Sequence, residues 1–399
     1  MILQNPSVLS RPAIAFSLVW IFVFVEFYIH SLSNGIVIKI ETVVLIVSSI
    51  LGAFLVEATL NSFRPSKKLM RAQPLDYSVI TRSIKKIWIF GVLITVVLQG
   101  GFPMLWAVIG DPRGYADFGI PTLNGGLVAL YVVLTLITFS GFINSRGKNP
   151  AVNTVFLFLY CVAIMNRGLM VYLVLNLVGL YLLYKSVTIK RAAPMAILFL
   201  TMLFLLNFIA ENRSLESKKG VRDFLETTSA NQFENSLLGD FDRGWTWLSV
   251  YSTAPLVNLN HNIDKMDPTY LPDHVLRALV PSIVRDLIYK TSEQEYELRY
   301  SLEMVNSALN TFTFYACYLR DFGFYGCFAI LVIVNYIANR IYPLALNGGM
   351  GFKVAYCGIF AAIVLTPFTD FFGSLVLPAQ VYIGILIERS GKKTLSSSG

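Results

Sequence analysis

The sequence predicts an all-α polytopic membrane protein of about ten transmembrane helices with one large, partly helical outer loop. Three observations predict it. The 399 residues are 55% hydrophobic and only 14% charged, whereas a soluble domain carries about 25% charged residues. The apolar residues come in runs of roughly 18 to 22, enough for a helix to cross a hydrocarbon core of about 30 Å, where a barrel would show short alternating segments. Polarity is also concentrated: Glu211–Asp321 holds 16 of the 24 acidic residues and 11 of the 32 basic ones. Connecting two helices needs no such island, so work at the membrane surface is expected of it.

Two spans open the chain, Ala13–Ser33 and Ile36–Glu57, joined by a turn at Asn34–Gly35. The next stretch, Asn61–Lys86, carries Arg64, Lys67, Lys68, Arg71, Arg82, Lys85 and Lys86 against the single acid Asp76. Such an excess of cations places it, and with it the N-terminus, on the cytoplasmic side. Further spans follow near Ile87–Ile109, Gly126–Ile143, Ala151–Met165, Leu169–Tyr184 and Ala193–Ala210, and after the island near Phe324–Ala338, Val354–Phe368 and Leu375–Ile387. Arg146, Lys148, Lys185, Lys190, Arg191, Arg340, Lys353, Arg389, Lys392 and Lys393 then fall inside, as alternation requires. The chain thus divides into helices over 1–210, the outer loop over 211–323, and helices with a cytoplasmic tail over 324–399.

The outer features are Gly110–Gly125, the tight turn Asn166–Gly168 and the island. Within the island, Leu276, Leu279, Val280, Ile283, Leu287 and Ile288 recur at helical spacing, predicting an amphipathic helix over Asp273–Lys290 bent at Pro281. Gly244–Leu259, with Trp245, Trp247 and Tyr251, reads as interfacial. Asn306–Leu319 has the character of a re-entrant segment, and Gly323 and Gly326 allow a sharp turn into the next span.

Composition also excludes. The net charge of +8 is explained by orientation, and no basic stripe interleaved with aromatics marks a nucleic-acid groove. Cys161, Cys317, Cys327 and Cys357 form no C-x-x-C pair and read as small apolar residues. The three histidines lie far apart, so no metal cage is expected, and no nucleotide-binding glycine loop is present. The first apolar run is too long for a cleavable signal.

Three arginines lie at outer edges, where few cations belong: Arg113 in Asp-Pro-Arg-Gly-Tyr, Arg167 in Asn-Arg-Gly and Arg213 in Glu-Asn-Arg. Arg167 stands out, because its turn is short enough to hold the guanidinium at or below headgroup level. Guanidinium grips phosphate bidentately and keeps its charge. The bland alternative is snorkelling, or pairing with an acid such as Glu211. Proton acceptors in reach of the outer side include Asp111, Asp117, Glu211, Asp321 and His261, the last in Asn258-Leu-Asn-His-Asn; His274 and His30 rank lower. Glu26 and His30 share a helical face and read as a structural pair.

This layout resembles bacterial O-antigen repeat-unit polymerases of the Wzy type. The resemblance rests on Arg167-Gly168 in a short outer turn, Arg213 opening the large loop, Tyr251-Ser-Thr-Ala-Pro-Leu-Val-Asn, Asn310-Thr-Phe-Thr through Asp321-Phe-Gly, and Phe118-Gly-Ile-Pro-Thr-Leu-Asn. It implies a GT-C-like, metal-independent glycosyltransferase without cofactor in the bacterial inner membrane, both termini cytoplasmic and the site facing the periplasm. The substrates, donor and acceptor, would be undecaprenyl-diphosphate-linked oligosaccharides, with a chain-length-regulating membrane protein as a possible partner and no nucleic acid. Catalysis would fall to Arg167, Arg213, His261 and Asp321. Substrate binding would fall to Arg113, Tyr115, Asn166, Tyr251, Asn258, Asn310, Tyr315 and Arg320. An O-antigen ligase is the near alternative, and a lipid-linked oligosaccharide flippase the alternative from another class.

Overall fold

The structure, a computed structural model, describes residues 6–31, 37–62, 77–114, 117–120, 123–144, 150–185, 252–280, 284, 288, 302–305 and 311–396. These are helices and connections, with no strand among the described residues. The predicted span Ala193–Ala210 lies outside them, as do Tyr115, Arg213, Tyr251 and Asn310.

The first helices are α1 (Pro12–Ser31), α2 (Ile40–Ser62) and α3 (Ser78–Gln99). On α1, Leu18, Ile21 and Val25 are exposed together, and on α2 so are Val44, Val47, Leu51 and Leu55. Those spacings draw continuous apolar stripes on the outside of the protein, the surface that lipid covers. By length and composition, five helices of the described residues can cross a membrane: Ile40–Leu60, Val79–Ile109, Leu123–Ile143, Arg167–Tyr184 and Phe314–Asn347. Pro12–Tyr28 and Met350–Val364 are shorter and equally apolar. The protein is a helical, membrane-embedded one.

The boundaries of α3 differ from the expected ones in two ways. Helix α3 starts at Ser78, well before Ile87, so Arg82, Lys85 and Lys86 ride on an exposed face of its first turns while Ile84 is buried. Long cationic side chains can extend to the headgroups, so charge need not end a helix. The expected span Ile87–Ile109 is also interrupted. Gly100 (φ 70°) caps α3 in the left-handed conformation, and Pro103 opens the short α4 (Pro103–Ile109). Glycine after a last turn and proline in a first turn are the favoured residues there.

Next come α5 (Leu123–Ile143), α6 (Pro150–Ala163) and α7 (Arg167–Tyr184). In the polar island, residues 252–262 form α8 and Asp273–Leu279 form α9, which stops with Val280 as its cap, immediately before Pro281. The last three helices are α10 (Phe314–Asn347), α11 (Met350–Val364) and α12 (Val376–Ser396). Helix α11 is the axle of the bundle: Met350, Gly351 and Lys353–Ile363 are all buried. It meets α12 backbone to backbone, because a Cβ on Gly351 would stand 2.2 Å from the Gly384 carbonyl oxygen. Small residues permit that approach between helices in lipid.

Specific contacts sort the helix ends into two groups. At one end Ser7 N donates to Leu182 O (2.9 Å), Arg11 pairs with Glu57 (2.5 Å), Met350 N donates to Tyr77 OH (3.0 Å) and Gly349 N to Glu388 (3.2 Å). At the other end Lys39 N donates to Asn260 (2.7 Å), Arg113 to Gln99 O (2.6 Å), Thr269 N to Arg320 O (2.9 Å) and Phe314 N to Thr366 O (2.8 Å). The second group holds the island and the start of α7, whose last turn (Leu182) belongs to the first group, and is called the island end below.

Candidate functional site

Helix α10 is broken at Gly323, whose φ of 67° and ψ of −171° leave only the short piece Phe314–Phe322 on its near side. Cys327 Sγ lies 3.8 Å from the Tyr315 carbonyl although twelve residues separate them; a straight helix would hold them about 18 Å apart. The chain therefore doubles back at Gly323. Phe314–Phe322 is a half-helix of about 13 Å tucked inside the bundle; residues 306–310 of the expected re-entrant segment lie outside the described residues. Phe314, Tyr315, Ala316, Tyr318, Leu319 and Asp321 on it are buried.

The half-helix brings Tyr315, Arg320 and Asp321 together in one element, and each is engaged by the protein. Tyr315 is fully buried with its ring 5.4 Å from that of Trp20. Asp321 Oδ2 accepts from Val275 N (3.0 Å), holding the first turn of α9. Arg320 Nη2 lies 3.6 Å from Cys317 Sγ.

The knot Asn258-Leu-Asn-His-Asn is a joint. Its three asparagines are buried, and each amide bonds backbone from a distant segment. Asn258 donates to Thr311 O (2.9 Å) and accepts from Val305 N (3.1 Å). Asn260 accepts from Lys39 N (2.7 Å) and Thr42 Oγ1 (3.0 Å) and donates to Val37 O (3.0 Å). Asn262 donates to Glu303 O (2.7 Å) and accepts from Glu303 N (3.0 Å). A buried amide that satisfies backbone groups leaves them stranded when removed. Asn260→Ala is accordingly expected to destabilise the protein by about 1–3 kcal/mol, read as a lower melting temperature in detergent; an unchanged value would show the joint to be dispensable.

His261 points out of the knot to the surface. Its Nε2 lies 2.9 Å from Glu303 Oε2 and 3.0 Å from Lys265 Nζ, and Lys265 reaches Glu303 at 2.6 Å. A ring protonated at Nε2 donates to Glu303, and one deprotonated there accepts from Lys265. Lys265 first, then His261, hold the Glu303 carboxyl below its ordinary range, and Lys39 does the same for Asp264.

Arg113 is engaged within its own loop. It bonds both Asp111 oxygens (2.7–3.2 Å) and lies 4.3 Å from the centre of the Trp106 ring. Those hydrogen bonds hold the Asp111 carboxyl down at about 2, a poor proton acceptor at neutral pH.

The expected turn at Asn166–Gly168 is displaced. The reversal falls at Ile164–Asn166, with Met165 at φ 51°, and Arg167 and Gly168 already belong to α7. The reason is the cap: Asn166 Oδ1 accepts from Leu169 N (2.9 Å), which starts the helix at Arg167. Arg167 is therefore at the first helical position, and it is only 9% exposed.

One residue of this end had no place in the sequence expectations. Asp370 sits in the connection between α11 and α12, where its Oδ1 accepts from Phe372 N (3.0 Å) and Gly373 N (3.2 Å), with the Tyr318 hydroxyl near it. Burial pushes its carboxyl up to about 6, against the two backbone hydrogen bonds and the nearby Tyr318 hydroxyl, which pull it down. On either side, Phe371 stacks on Tyr172 of α7 (4.5 Å, 6°) and Phe372 meets Phe314 of the half-helix edge-on (5.6 Å). The available signal was an acid between apolar runs, Pro367-Phe-Thr-Asp-Phe-Phe-Gly, at a hairpin too short to carry it far into water.

The fold and this end define a membrane-embedded helical protein with an arginine buried at a helix start. Comparison with family models, curated proteins and solved structures finds no match.

Proposed function

We propose that the protein is a glycosyltransferase that polymerises undecaprenyl-diphosphate-linked oligosaccharide repeat units into O-antigen or a related surface polysaccharide. The island end faces the periplasm, both termini lie in the cytoplasm, and undecaprenyl diphosphate is the leaving group. The observation that carries this proposal is Arg167, buried at the first position of α7. A guanidinium held in place at a helix start stabilises the charge that grows on the leaving oxygen of a diphosphate. Ionisable residues set among membrane helices are expected to be functional.

The test is direct. Purified protein is mixed with lipid-linked repeat units extracted from cells lacking the gene for this chain. A ladder of longer lipid-linked glycans is expected; flipping of the lipid with no new glycosidic bond would overturn the proposal. His261, partly exposed at the island end, favours one second reading, an O-antigen ligase. Transfer of glycan only to rough lipopolysaccharide would select it.

A further inference from the structure

We propose that Asp370 is the proton acceptor for the incoming sugar hydroxyl. The inference rests on glycosyl transfer as proposed above and names the group that transfer requires. Asp370 is partly exposed, so a hydroxyl can reach it, yet its position is fixed on three sides. Phe372 N and Gly373 N both fall on Oδ1, which pins the carboxylate to its own turn. Through Phe371 the turn is stacked on α7, the helix that begins with Arg167, and through Phe372 on the half-helix. The carboxylate thus stands between the element carrying the buried guanidinium and the one carrying Arg320 and Asp321. The titratable groups facing it are Tyr318 and Cys317 of the half-helix and Cys327 beyond the Gly323 turn, with Arg320 next to Cys317.

Several other described acids of this end are committed elsewhere. Asp111 holds Arg113, Asp321 holds α9, and Asp264 and Glu303 pair with lysines at the surface. In the transfer step the acceptor hydroxyl oxygen bonds to the anomeric carbon. The bond from that carbon to the diphosphate oxygen breaks, and its electron pair leaves with the diphosphate. The hydroxyl proton passes to Asp370 and from there to water. A carboxyl raised to about 6 is ionised at neutral pH and still basic enough to take that proton, the compromise general-base catalysis favours.

The experiment measures initial rates of polymer formation against pH for the wild type, Asp370→Asn and Tyr318→Phe, using the same extracted lipid-linked repeat units. Wild-type activity should fall as pH drops through about 6. Asp370→Asn keeps the acceptor oxygen for Phe372 and Gly373, so the turn is retained, and should lose roughly 100-fold or more in rate. Tyr318→Phe removes a nearby hydroxyl that favours the carboxylate; its acid limb should move to higher pH with the plateau retained. A merely structural tyrosine would not move that limb. Wild-type rates in Asp370→Asn, or coincident pH profiles for the wild type and Tyr318→Phe, overturn the inference and leave the transferase standing. Should Asp370→Asn not insert, the two remaining profiles decide. A wild type that forms no glycosidic bond at any pH overturns function and inference together.

Discussion

Replacing Arg167 by alanine is expected to abolish long-chain product while leaving the protein inserted and folded. Its backbone lies in the first turn of α7, started by Asn166 and not by Arg167 itself, and alanine is the best helix former. The variant therefore keeps the start of α7. Removing one preorganised group that stabilises a developing oxyanion costs about 100- to 1,000-fold in rate. Arg167→Lys should recover only part of that, since an ammonium is a point charge without the planar fork that grips two phosphate oxygens. The measurement is the length distribution of lipid-linked glycan made by purified variants, normalised to protein recovered in the membrane. Wild-type chain length in Arg167→Ala would remove the arginine from the mechanism. Arg213 carries the same expectation from the sequence and lies outside the described residues.

Replacing Gly323 by alanine should have the largest effect on the fold. At φ 67° and ψ −171° the backbone is in a region essentially restricted to glycine, which costs a side-chain-bearing residue about 1–3 kcal/mol. A Cβ there would also stand 3.2 Å from Pro268 Cγ, so the segment before α9 would have to yield as well. The half-helix depends on that turn, and with it the tie from Asp321 to Val275 and the approach of Tyr318 to Asp370. The expected result is a clearly lower melting temperature in detergent together with lost polymerisation. If both stay at wild-type values, the doubling back at Gly323 is not what positions this end.

Much of the fold was legible because crossing a membrane is a local requirement. A run of apolar residues of sufficient length is a helix wherever it falls, which is why α1, α2, α5 and α7 stand close to their expected places. Boundaries were less legible where a terminal signal outweighed charge or hydropathy. Arg82, Lys85 and Lys86 look like a loop by charge and lie on α3, and Gly100 and Pro103 split one apolar run in two. The cap at Asn166 moved Arg167 from a turn into a helix.

The site divides along the same line. Residue type and position in the chain mark Arg167, the asparagine knot and the re-entrant segment, because an edge cation, a polar cluster and a glycine turn are visible in a few adjacent letters. Tertiary structure alone decides that the asparagines join Val37, Glu303 and Thr311 to one helix, that Asp321 holds α9, and that Asp370 meets Tyr318. Hydropathy follows from neighbours along the chain, whereas the proton affinity of a carboxyl depends on what distant segments pack around it and how much water they exclude.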